Sequence, residues 1–103
     1  MFTINNENWL IKFISPTDRI FRVKDGSYTV GACDDIMKTI YLANNLTGDF
    51  LYKVLCHEIV HAAMFSYNVD LTHEQEELLA NIIATYGEEI IKITNDMFKR
   101  LRH

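Results

Sequence analysis

The chain has 103 residues, enough for one domain with a modest core. It is 49% hydrophobic and 23% charged, an ordinary globular balance that excludes a disordered or fibrous chain. The net charge of −4, with basic residues dispersed, argues against a nucleic-acid surface, and no run approaches the roughly 18 apolar residues of a membrane span.

The opening residues 1–8 lack the basic region and apolar run of a signal peptide. Cys33 and Cys56 are too few for a disulfide framework, so both are expected to be free thiols of a cytoplasmic protein. Residues 9–14 form a short apolar run that Ser15-Pro16 stops, which predicts a strand. Residues 19–23 alternate like a strand, with a helix over 17–24 as the alternative, and residues 24–27 turn. Residues 28–33 and 38–42 are two more strand candidates, with 34–37 as the hairpin loop between them. A small N-terminal antiparallel sheet is the expectation.

The second half reads as helical. Residues 44–48 form a loop, and Thr47 or Asp49 is the N-cap of a helix running to about Tyr67. After a connection over 68–71, Thr72 and Gln75 have the spacing of a capping box. A long helix follows toward Arg100, with Gly87 as the place for a kink or split. Lys99, Arg100 and Arg102 complement that helix's dipole at its end. Strands first and helices after predict an α+β domain over residues 1–103.

The chemistry lies in His57-Glu58-Ile59-Val60-His61, an H-E-x-x-H pattern. Histidines four residues apart stack on one helix face and can share a zinc ion at roughly 2.0–2.1 Å each. Glu58 projects from a neighbouring part of that face, where it can reach a metal-bound water and act as a base. The surrounding segment is apolar, so the histidines sit in or beside the core and need partners. Cys56 points about 100° away from His57 and reads as a small core residue. Cys33 is a cap for the metal only by virtue of its thiol.

A catalytic zinc takes a third protein ligand and keeps one position open. The metzincin continuation is excluded, because Met64 and Tyr67 stand where that pattern needs a glycine and a histidine. The segment Glu77-Leu78-Leu79-Ala80-Asn81, with Ala84 a turn later, resembles the glutamate helix of gluzincins. Over roughly residues 28–86 the chain is similar to the small bacterial and phage metallopeptidases of the ImmA/IrrE type. That resemblance implies a minimal zincin-like peptidase in which His57, His61 and Glu77 bind zinc, Glu58 is the base and Asn81 orients a ligand.

The residues themselves keep alternatives open. Leu79, Ile83, Tyr86, Ile90 and Met97 make the main apolar stripe of the last helix, and Glu77 lies nearly opposite its centre. Glu76 lies nearer that stripe, and His73 as the third ligand would resemble SprT-type proteases. Glu74, Glu76 and Glu77 also suit a first helical turn on dipole grounds alone. The expected activity is zinc-dependent hydrolysis of a peptide or protein substrate. Tyr67, His73 and Tyr86 are the candidate donors to the oxyanion, and strand 38–42 is the candidate edge for an extended peptide. The competing expectation is a non-catalytic binding or regulatory protein stabilised by zinc, against which Glu58 speaks. No nucleic acid or membrane partner is expected.

Overall fold

Four strands precede two helices: β1 (Phe2–Ile4), β2 (Glu7–Ile14), β3 (Gly31–Asp34), β4 (Thr39–Ala43), α1 (Gly48–Ser66) and α2 (His73–Leu101). The computed structural model describes residues 1–102. The class is α+β, as the order of elements in the sequence predicts.

The sheet order is β1-β2-β4-β3. The outer pairs are antiparallel, but β2 and β4 run parallel, with Leu10 opposite Thr39 and Ile14 opposite Ala43. The sheet is therefore mixed and not antiparallel throughout. The reason lies in the segment between β2 and β3. Instead of turning straight back, it winds through a short 3-10 turn at Arg19–Phe21, capped by Asp18, and seats Phe21 fully in the core. This crossover lets β4 return alongside β2 in the same direction. Residues 19–23 are thus closer to the helical alternative than to a strand.

β1 has no counterpart among the expected strands. It pairs with β2 through a tight turn in which Asn5 and Asn6 both have positive φ, 48° and 62°. Asparagine tolerates that conformation better than most residues. The β3–β4 loop falls where expected. There Asp34 accepts hydrogen bonds from the backbone N–H groups of Ile36 and Met37.

The core is built of Trp9, Phe21, Ile40, Leu42, Ala43, Leu46, Val54 and Ala62. α1 starts after Thr47 and lays Leu51, Val54, Leu55, Glu58, Ile59, Ala62 and Ser66 along one stripe at helical spacing. Its C-terminal end is pinned to the sheet. The buried Trp9 indole N–H donates to Ser66 Oγ at 2.8 Å, and Asn5 donates to the Ser66 carbonyl at 2.9 Å.

α2 begins at a complete capping box. Gln75 N–H donates to Thr72 Oγ1, and Thr72 N–H donates to the Gln75 side chain. The helix then runs unbroken through Gly87. It lies on α1 from its first turn to about Glu88, which meets Tyr52, through a face that includes the fully buried Ala80. Of the large apolar stripe predicted to pack, Leu79 and Ile83 are partly buried, but Tyr86, Ile90 and Met97 are exposed. No helix of the described residues is long and apolar enough to cross a membrane.

Candidate metal centre

His57 and His61 sit on the flank of α1 that faces α2, one turn apart, with ring centroids 4.8 Å from each other. The capping box at Thr72 fixes where α2 begins, and so brings its first carboxylates beside His61. Glu77 Oε1 lies 2.7 Å from His61 Nε2, and Glu77 Oε2 lies 3.3 Å from His57 Nε2. One ligand atom from each of His57, His61 and Glu77 lies within 4.8 Å of the others, so the three could hold a metal ion.

Glu77 reaches this point because the small face of α2 packs on α1. Ala80 is fully buried one turn after Glu77, and Ala84 follows on the same side. Glu77's position opposite the apolar stripe is therefore no obstacle, since that stripe is not the packed face.

The outer ring nitrogens have carboxylate partners of their own. Glu76 Oε1 is 2.6 Å from His61 Nδ1, and Glu58 Oε2 is 3.2 Å from His57 Nδ1. A carboxylate at Nδ1 favours the proton there and leaves Nε2 turned toward Glu77. The contacts between Glu77 and the two Nε2 atoms are met either by a second proton on a ring, whose Nε2–H then donates to Glu77, or by a cation that both rings and Glu77 ligate. Glu58, Glu76 and Glu77 together carry the charge to neutralise a divalent ion. Two imidazoles and a carboxylate are also a donor set that suits zinc. The hydrogen bond to Glu58 raises His57 above the ordinary imidazole range; burial opposes this, and the Glu58 and Glu77 charges add to it.

Glu58 occupies an unusual place for a carboxylate. It lies in the middle of the stripe of α1 that faces the sheet and is 7% exposed. Gly31 at the start of β3 makes room for it. A Cβ there would come within 3.0 Å of Glu58 Cγ and Oε2 and within 2.9 Å of Val54 Cγ1. The sequence around Gly31 carries no local sign of this role, because a close approach of strand to helix leaves none.

A cleft of about 470 Å³ opens over the cluster, lined by Thr29, Gly31 and Cys33 on one wall and by His73, Glu76 and Glu77 on the other. It continues into a pocket of about 350 Å³ between Phe50, Val54 and Ala84, with Lys53 beside it. Both share His57 and Glu58.

The other sequence candidates fall as follows. His73 lines the cleft at the first turn of α2 but lies outside the converging group. Glu76 touches a histidine at Nδ1, on the side away from Glu77. Asn81 lines the adjoining pocket, and among the described residues its side chain makes no hydrogen bond to His57, His61 or Glu77; Glu76 and Glu58 hold the two rings instead. Tyr67 and Tyr86 are exposed and line neither part of the cleft. Cys33 lines the cleft as a thiol pushed up to about 12, first by burial and then by the Glu58 charge. Residues 38–42 do not supply a free edge, because β4 is paired on both sides; the outer strand on this side of the sheet is β3.

Comparison with known protein families, curated proteins and solved structures finds no match.

Proposed function

We propose that this chain is a zinc-dependent endopeptidase, a minimal gluzincin-type enzyme, with His57, His61 and Glu77 as metal ligands and Glu58 as general base. The observation that carries the proposal is the meeting of two Nε2 atoms and one carboxylate from different helices, with a second carboxylate, Glu58, held in the same cleft. Bound zinc would supply a Lewis-acidic centre that acidifies water and polarises a peptide carbonyl.

The chain's own residues do the rest. Glu58 takes a proton from the attacking water as its oxygen bonds to the carbonyl carbon. When the C–N bond breaks, Glu58 delivers that proton to the leaving nitrogen. Its burial beside Gly31 and Val54 keeps the carboxylate in one place. His73 is the candidate donor to the carbonyl oxygen, because of the three residues considered it alone lines the cleft. An extended peptide would run along the outer edge of β3, where Thr29, Gly31 and Cys33 form one wall. The pocket between Phe50, Val54 and Ala84 would take an apolar substrate side chain.

A second proposal, a non-catalytic protein stabilised by the metal, draws on the contact between Glu58 and His57 Nδ1. In that case Glu58 only holds a ring. Glu58→Gln separates the two, since glutamine still accepts the Nδ1–H bond but is no base. The peptidase proposal expects this variant to stay folded, keep its metal and lose at least about 100-fold in hydrolysis of a peptide that the wild type cleaves. A wild type that cleaves nothing in broad peptide libraries would favour the second proposal.

A further inference from the structure

Past Glu88, which still meets Tyr52 of α1, the second half of α2 carries an apolar surface that the described residues leave mostly exposed. Ile90, Ile91, Ile93, Phe98 and Leu101 are each more than half exposed, and Met97 nearly so. With one residue every 100°, these six occupy an arc of roughly 160°, wider than a single stripe against one neighbour requires. Six large apolar side chains exposed together on one helix segment are the kind of surface that marks an interaction site.

The charges beside this arc indicate what covers it. On one flank lie Glu89 and, three turns on, Arg100; on the other lie Glu88 and, four turns on, Arg102. Acid stands at the start of the segment and base at its end. A second copy laid parallel would set Glu88 and Glu89 against themselves, and Arg100 and Arg102 against themselves. A second copy laid antiparallel, about a two-fold axis near Thr94 and Asn95, sets Glu89 opposite Arg100 and Glu88 opposite Arg102, each pair on one flank. The same register sets Ile93 opposite Met97 and Ile91 opposite Phe98, so charge and apolar matching agree. A two-fold contact repeats each pair, and the two bodies lie at opposite ends of the paired helices.

We infer that the chain forms an antiparallel two-fold homodimer through residues 86–102 of α2. A lipid surface fits less well. Helices that lie on membranes are rich in Lys and Arg on the polar face. Here Glu88, Glu89 and Asp96 offset most of the charge of Lys92, Lys99, Arg100 and Arg102. The inference does not depend on the metal, because none of these residues lines the metal-site cleft.

Light scattering on the full chain at micromolar concentrations is expected to give the mass of two chains. Ile93→Glu combined with Phe98→Glu should give one-chain mass with an unchanged helical circular-dichroism spectrum, as both residues are exposed in the monomer. Two charge variants test the direction. Glu88→Arg with Glu89→Arg, and Arg100→Glu with Arg102→Glu, should each weaken self-association by roughly tenfold or more. Mixed together, the two variants should pair with each other in preference to themselves. A one-chain mass for the wild type would overturn the inference, whether or not the chain binds vesicles of anionic lipid. Charge variants that mix without preference would overturn the antiparallel arrangement.

Discussion

The two halves of α2 differ in what surrounds them and in what their side chains are for. Residues 73–85 lie against α1 and are held by a small face, in which Ala80 is fully buried and Glu76 and Glu77 meet the histidines. Residues 86–101 carry more of the large apolar side chains, yet all but Gly87 are exposed. The half that packs therefore carries fewer large apolar side chains. Close approach between helices is governed by side-chain size at the contact, and the meeting of His57, His61 and Glu77 needs that approach more than it needs apolar area.

The following substitutions test this difference, in order of expected effect. Replacing His57, His61 or Glu77 with alanine removes a metal ligand, and each should weaken zinc binding by more than about 100-fold, the upper end of what loss of an outer partner does. Competition with a chromogenic chelator measures it. If Glu77→Ala binds normally while His73→Ala does not, the ligand set is wrong.

Glu76→Ala takes the carboxylate from His61 Nδ1 and should weaken zinc by about 10–100-fold, with Glu76→Gln recovering part of the loss. An unchanged affinity in Glu76→Ala would mean that the bond does not orient the ring.

Ala80→Leu adds apolar volume to the packed half. It should nevertheless destabilise the chain by about 1–3 kcal/mol in denaturant titration, because the site is full. Ile90→Ala removes apolar volume from the projecting half. In dilute protein that has dissociated to single chains it should change stability by less than about 0.5 kcal/mol. If the two swapped magnitudes, the assignment of packed and unpacked faces would be reversed.

Much of this fold is legible in the sequence, for local reasons. The capping box at Thr72 and Gln75, the loop after Asp34 and the end of α1 near Tyr67 each follow from side chains that bond to neighbouring backbone or from the reach of an apolar period. Short contacts within one turn explain why His57 and His61 share a face. What the sequence hides depends on distant parts meeting. The parallel pairing of β2 and β4 depends on where Phe21 anchors the crossover. The hairpin at Asn5 and Asn6 lacks the glycine that marks most such turns. Glu76 pairs with His61 fifteen residues away, and Gly31 admits Glu58 only because β3 crosses α1 at that point. The apolar stripe of α2 is plain in the sequence, but periodicity does not say whether the surface that covers it belongs to the same chain.

The account rests on one ion held by His57, His61 and Glu77, and zinc-edge X-ray absorption on protein purified without chelator tests that most directly. The expected result is about one zinc per chain, coordinated by two imidazole nitrogens at roughly 2.0–2.1 Å and by oxygen, and lost in the His57→Ala, His61→Ala double variant. Protein that neither carries zinc nor takes it up, or a double variant that keeps the same zinc signal, would contradict the account.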